Sequence, residues 1–450
     1  MDRTTEILAE FACSLRYTDL TRDVVHQVKR TLVDTLACGI GGFSAEPSVI
    51  ARRLAEQVSS TAPARILGTR QSTSADMAAF ANGVMVRYLD CSDSYIAQGS
   101  GHPSDMISAI LAAAEPVQAD GESIITAIVL AYEIFCRLCD ESPLAGWDQG
   151  MFGVVGAACG AGKVMGLDRE AMAQAISLAV TPNVPLGVTR VGHLSMWKGC
   201  AMAASCRAGV FAAQLAREGM TGPSEPFDGG KGLWEQAIRK PVELDRLGVA
   251  PLRIMATSFK YFPSQVHTQG PIGLALELRP QLDGAEIESI RIRTHGVAVE
   301  SSATESEKWD PQNRETADHS MPFLVAVALR DGEVTPATFA TERVQDPTLR
   351  PLIGKMTIDE DPEYTRAFPN EGHCLMEIAT TDGKQLVAET RYPKGHRGNP
   401  LSDEEIETKF RQLSAGLLTE TQCRDSLGQV WSFDRAKDVG TLFDAIIVSA

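Results

Sequence analysis

No window of this 450-residue chain offers the roughly 18 uncharged apolar residues that a membrane helix requires. Excess positive charge is missing too: the formal net charge is -16, so phosphates are repelled and neither nucleic acid nor an anionic membrane is an expected partner. The start, "MDRTTEILAEFACSLRY", lacks the basic opening and unbroken apolar run of a signal peptide and carries Asp2, Glu6 and Glu10 instead. The expected location is therefore cytoplasmic. Ten cysteines are present, but Cys136 and Cys139 form a CxxC that has no second pair or nearby histidine to complete a zinc site. Cys91, Cys159, Cys200 and Cys206 show no grouping suited to an iron-sulfur cluster. Neither metal nor organic cofactor is expected. "GAACGAG" follows no strand and has no acidic partner at dinucleotide-loop spacing, no P-loop occurs, and tandem repeats and low-complexity segments are absent.

What remains is a chain long enough for two cores, with a hydrophobic fraction of 44% to fill them. Up to about residue 255 the helical period dominates. "ADMAAFANGVMVRYL", "SDMISAILAAAEPV" and "ESIITAIVLAYEIFCRL" are apolar on more than one face and must be surrounded by other helices. The Gly- and Ala-rich "GVVGAACGAGKVMG" suits close helix approach. "GMTGPSEPFDGGKG" is a loop. Alternation then sets in with "IESIRIRTHGVAV", "KMTIDED" and "HCLMEIATTDGKQLVAETRYP", the last with Asp382-Gly383 as a hairpin turn. "LSDEEIETKFRQL" opens on a capping box, Ser402 and Glu405, and starts terminal helices that return to the first domain. The expected class is mainly α: a large all-helical domain of residues 1–255 and 405–450 plus a smaller α+β domain of residues 256–404.

Four constellations carry chemistry. In "RYLDCSDSYIAQGSGHPSD", Asp90 and Asp93 flank the end of one helix, and His102, Pro103 and Ser104 open the next. Exposed amides there attract an anion; alternatively Ser104 and Asp105 only cap the helix and His102 is a solvated loop residue. In "TRVGHLSMWKGCA", Arg190, His193 and Lys198 precede a helix poor in charge, and Lys198 is either a carboxylate binder or acid, or a snorkelling lysine. "SFKYFPSQVHTQGP" gathers Lys260, Tyr261, His267 and Gln269 at the entry to the second domain, and domain junctions are common pocket sites. "RETADHSMPF" places Arg314, Asp318 and His319 before an apolar helix that Asp318 or Ser320 caps. His26, His295, His373 and His396 lack such company and read as structural or exposed.

Together these segments, with "MWKGCA", "KYFPSQVHTQ" and "GNPLSDEEIETKF", resemble the MmgE/PrpD family over essentially the whole chain. That family includes 2-methylcitrate dehydratase, cis-aconitate decarboxylase and iminodisuccinate epimerase. The resemblance implies a helical domain capped by a smaller α+β lid, a homodimer without cofactors, and proton transfer at a carbon next to a carboxylate. By similarity it assigns Asp93, His102, Lys198 and His267 to catalysis. It gives Gln269 as a further site residue, and beside these Asp90, Ser104, Arg190, Lys260, Tyr261 and His319 are the expected contacts to a small polycarboxylate. His102 or Asp93 takes the carbon proton, Lys198 and Lys260 hold carboxylates, and His267 assists a departing hydroxyl, with the two histidine roles open to exchange. The expected activity is that of a hydro-lyase such as a 2-methylcitrate dehydratase; an epimerase or decarboxylase of a related acid, and a non-catalytic carboxylate-binding protein, are the alternatives. Two departures stand out. Gln149 follows Asp148 where the dehydratase pattern has histidine, and Gln265 stands where decarboxylases carry one.

Overall fold

A computed structural model describes residues 1–449. The chain is mainly helical and divides into two compact units, one of Met1–Arg190, Trp197–Thr257 and Ser402–Ala450, the other of Val191–Met196 and Ser258–Leu401. Among the described residues no helix is long and apolar enough to cross a membrane.

The elements that position the candidate site in the first unit are α1 (Arg22–Gly41), α2 (Ala75–Tyr88), α3 (Ile107–Ala114), α4 (Gly121–Glu141), α5 (Gly150–Val164) and α6 (Ala201–Arg217). In the second unit they are α7 (Gln269–Leu282), β1 (Ile287–Thr294), α8 (Met321–Asp331), β2 (Met356–Glu360), β3 (Cys374–Thr380) and β4 (Gln385–Thr390); α9 (Asp403–Leu413) belongs to the first unit again.

Helix α4 starts where the Asp120 carboxylate accepts the Ser123 amide, and its residues from Ile124 to Cys139 are all buried. A helix buried on every side has neighbours on every side. Those neighbours come close because they carry small residues. A Cβ added to Gly209 of α6 would lie 2.8 Å from the Ala158 nitrogen and 3.0 Å from the Val154 oxygen of α5. On α5 itself, a Cβ at Gly156 would meet Met106 Sδ at 2.5 Å and the Ala131 oxygen of α4 at 3.0 Å. "GVVGAACGAG" is thus a surface for main-chain approach between helices. Cys136 and Cys139 are fully buried inside α4.

The capping box forms as read: Ser402 and Glu405 satisfy each other's backbone amides at the start of α9. From that helix Lys409 reaches Asp34 of α1 at 2.5 Å and the Cys91 carbonyl at 2.7 Å. The C-terminal helices therefore close on the N-terminal half.

The second unit is built on a mixed sheet of order β2-β1-β3-β4, with β1 and β2 parallel and the other pairs antiparallel. Ile290 and Ile292 of β1 stand opposite Ile378 and Met376 of β3. With the period of two, Cys374, Met376 and Ile378 share one buried face. There they meet Ile272 and Leu278 of α7 and Phe323 and Leu324 of α8 in one core. Asp382-Gly383 makes the β3–β4 turn, and Gly383 sits at φ +87°, a conformation glycine adopts without steric cost. Residues Val191–Met196 join this unit because the Leu194 amide donates to Thr316 Oγ1 (3.3 Å) and the Leu194 carbonyl accepts Asn313 Nδ2 (2.9 Å). No change in composition marks that crossing in the sequence.

Candidate functional site

In the first unit the chain leaves α2 through Asp90, which adopts the left-handed conformation (φ +52°). Aspartate is one of the few side chains that tolerates it. The turn directs the Asp90 carboxylate back to Arg87, Nη1 to Oδ1 at 2.7 Å, while Lys198 Nζ lies 3.4 Å from Oδ2. Arg87 Nε lies 3.6 Å from the Asp105 carboxylate. The four charges alternate in sign and none of their side chains exceeds 2% exposure. Buried charges persist only when compensated in this way. A snorkelling Lys198 is excluded, since its ammonium is enclosed with the rest of the side chain.

Three residues further on, the fully buried Asp93 organises His102. Its Oδ1 accepts the Ser104 amide (3.1 Å) and its Oδ2 accepts the Tyr132 hydroxyl of α4 (2.9 Å). Burial pushes this carboxyl up to about 6, against the opposing effect of those hydrogen bonds from Ser104 and Tyr132. His102 Nδ1 sits 2.6 Å from the Asp93 carbonyl oxygen. A carbonyl only accepts, so Nδ1 carries the proton and the basic lone pair of the neutral ring lies on Nε2. The Ser104 amide, expected from sequence to meet a ligand carboxylate, is already taken by Asp93. His102 stays partly exposed, whereas Ser104 is buried.

The turn ahead of α5 ties these two clusters together. Asp148 Oδ1 accepts the Gly150 amide (2.9 Å) and Oδ2 meets Arg190 Nε (2.7 Å). Arg190 in turn donates to the Lys198 carbonyl (2.9 Å) through Nη1, and its Nη2 is buried with no hydrogen-bond partner among the described residues. Next in sequence, Gln149 Oε1 accepts the His102 amide at 2.6 Å. Asp148 and Tyr132 were not singled out by sequence reasoning. An aspartate one residue before the anomalous Gln149 was the available signal for the first; nothing distinguishes Tyr132 from the other apolar positions of α4.

The second unit carries a histidine cluster. His267, partly exposed, has its ring centroid 5.1 Å from that of His295, which stacks on Phe368 at 4.0 Å. Burial, then the neighbouring His295, Lys260 and His319, hold His267 well below the usual imidazole range, and burial alone brings His295 down to about 4. Both rings are therefore neutral near pH 7. His295, read from sequence as structural or exposed, caps the helix after β1 by accepting the Ala298 amide at 3.3 Å, and lies beside His267 because β1 ends there. Lys260 is buried, while Tyr261 is 47% exposed and meets Phe262 edge-on. Gln269 is spent on its own loop: Oε1 accepts the Tyr261 and Phe262 amides, both at 2.9 Å, and Nε2 donates to the Phe262 carbonyl and to Ser264 Oγ, each at 3.1 Å. Such a net fixes the loop that presents Lys260 and Tyr261. His319 Nδ1 pairs with Asp318 Oδ1 at 2.5 Å, and Ser320 is the residue that caps α8. Arg314 lies over the Phe339 ring at 4.6 Å, and His193 is exposed, 4.0 Å from Glu307.

These neutral histidines set the acid side of the stability curve. His267 and His295 are depressed, so below about pH 6.5 the unfolded chain binds protons that the folded one does not, and stability falls with pH. Asp93 is raised and works oppositely between about 6 and 4, where the folded state binds the extra proton. From pH 7.5 to 5 His295 costs about 2 kcal/mol and Asp93 returns about 1.4 kcal/mol, and the depressed His267 adds to the loss, so the balance is a net destabilisation at the lower pH. Urea unfolding at the two pH values measures it, and equal midpoints would sink the assignment.

Comparison with known proteins places these residues in a family. The MmgE/PrpD N-terminal domain matches residues 6–244 and the MmgE/PrpD C-terminal domain residues 262–433. A 2-methylcitrate dehydratase of Cupriavidus necator is 28% identical over 416 residues, covering 85% of each chain. A 2-methylcitrate dehydratase of Escherichia coli K12 is also 28% identical, over 81% of this chain and 80% of its own. A cis-aconitate decarboxylase of Mus musculus is 25% identical over 94% of this chain and 88% of its own. With both domains matched along most of its length, this chain belongs to the MmgE/PrpD family.

Proposed function

We propose that this protein is a hydro-lyase that acts on a small 2-hydroxy polycarboxylate such as 2-methylcitrate, without a metal or organic cofactor. The observation that carries the reading is His102, a partly exposed imidazole whose Nδ1–H is fixed on the Asp93 carbonyl so that Nε2 is the basic atom. His102 takes the proton from the carbon next to a carboxylate, the electron pair left behind forms the alkene as the carbon-oxygen bond breaks, and the proton held on His102 is passed to the departing hydroxyl, which leaves as water. Negative charge that builds on the carboxylate in the transition state needs cations in a low-dielectric setting. Lys198 and Lys260 supply them, both enclosed at 1% exposure. Arg190 adds a carboxylate contact through its unpartnered Nη2. Tyr261 and His319 are further substrate contacts. His267, held neutral, donates a hydrogen bond to the departing hydroxyl rather than a full proton. Asp93 serves here as a support, both of its oxygens being engaged.

Proton NMR in deuterated water tests this with 2-methylcitrate, citrate, cis-aconitate, 2-methyl-cis-aconitate and iminodisuccinate. The expected result is a new alkene, or hydration of one. Carbon-bound hydrogen exchanged without elimination indicates an epimerase instead, and a ligand that perturbs the protein spectrum without any exchange indicates a binding protein. Either of these outcomes overturns the hydro-lyase reading.

A further inference from the structure

We propose that Gln149 and Tyr132 form a two-point clamp that positions His102, one acting on its main chain and the other through Asp93 on its ring. The proposal rests on the hydro-lyase reading for its kinetic consequence, though not for its structural one.

Three features of the geometry carry it. Gln149 Oε1 accepts the His102 amide at 2.6 Å, a short bond between two neutral groups, from a side chain that is 4% exposed. The preceding residue leaves no slack, since a Cβ on Gly101 would lie 2.0 Å from Gln149 Oε1 and 2.6 Å from Phe135 Cζ of α4. The loop ahead of it is also tied down: Tyr95–Ile96 pairs with Ser100–Gly101, and the Gly99 amide donates to the Cys139 carbonyl at 2.8 Å. His102 thus stands at a fixed point on the wall made by α4 and the start of α5. From that point the ring turns to the Asp93 carbonyl, and the direction of this carbonyl depends on how the Asp93 residue is held. Tyr132 holds it by donating to Oδ2, with the Ser104 amide on Oδ1.

Both clamps are groups that do not change charge in the working range. An amide does not titrate, and burial beside the Asp93 carboxylate holds the Tyr132 phenol well above its usual value. The base is thereby oriented by an amide and a phenol that keep their charge, acting through an Asp93 carboxyl that is ionised above about pH 6. This gives the glutamine at 149 a role of its own: a histidine there would add a second ionising group against the His102 backbone, whereas the amide supplies only an acceptor.

The test uses the full chain labelled with 15N-histidine, with the His102 resonances identified by their loss in His102→Asn. In the wild type we expect the Nδ1–H tautomer of the neutral ring. Gln149→Leu and Tyr132→Phe are expected to mix the tautomers and to lower kcat by roughly 10- to 100-fold with KM within about twofold, as a small misplacement of a reacting group does. Gln149→Glu keeps the acceptor, so the tautomer survives, while its negative charge raises the His102 titration midpoint. Tyr132→Phe removes one oxygen from an otherwise unchanged ring, so it decides the question if Gln149→Leu does not fold. Folded variants whose His102 tautomer and midpoint equal those of the wild type overturn the clamp. If the tautomer shifts as expected while the wild type converts none of the polycarboxylates, the clamp stands and the hydro-lyase reading falls.

Discussion

Replacing His102 by alanine should lower turnover by about two to four orders of magnitude, the usual contribution of a positioned general base. The same loss should appear in the washout of the carbon-bound hydrogen, because one group serves both. Stability should hardly move. His102 is partly exposed and its ring makes a hydrogen bond to a carbonyl of a loop that Gln149, Tyr132 and the Gly99–Cys139 contact already secure. Thermal midpoint and kcat are therefore expected to separate: the first within a few degrees of wild type, the second collapsed. A variant that turns over near the wild-type rate removes His102 from the role of base, and His267 then becomes the residue to replace.

Lys409→Met is expected to have the largest effect on stability, about 3 to 5 kcal/mol, the range for removing one partner of a buried ion pair. Lys409 joins α9 to α1 through Asp34, with side-chain exposures of 6% and 0%. Without the ammonium the Asp34 carboxylate is left charged in a setting that water does not reach. Chemical denaturation measures the loss, and the double variant Asp34→Leu, Lys409→Met distinguishes its cause. If the penalty comes from the orphaned carboxylate, the double variant recovers most of it; if it comes from lost packing of the lysine stem, it recovers nothing. Turnover should fall as well, because Lys409 also donates to the Cys91 carbonyl, between Asp90 and Asp93. A helix from the last tenth of the chain thus supports the loop that presents the candidate base.

The helical texture was legible because periodicity reports burial directly. Helix α4 is apolar on more than one face and is enclosed from Ile124 to Cys139, the glycines of α5 mark close helix approach, and the capping box at Ser402 and the turn at Asp382-Gly383 are local chemistry that forms where it is written. The crossing of Val191–Met196 into the second unit was not legible, since it rests on hydrogen bonds to residues more than a hundred positions away. His295 escaped notice for a similar reason. Its neighbour His267 is 28 positions earlier, and only the end of β1 sets the two rings side by side.

Residue type and spacing, on their own, determined which groups this chain has available: a histidine beside a proline after two aspartates, a lysine in a segment poor in charge, and a glutamine in place of a histidine. What each group does was decided by tertiary structure. Asp93 and Gln269 are as polar in the sequence as His102 and Lys198, yet the Gln269 oxygen is engaged by main-chain amides and the Asp93 oxygens by the Ser104 amide and the Tyr132 hydroxyl, while the imidazole is turned by a carbonyl to leave Nε2 basic. Sequence fixes proton affinities only to within the ordinary range of each side chain. Burial and the nearest charges move Asp93 up and His267 down, and those are properties of the fold.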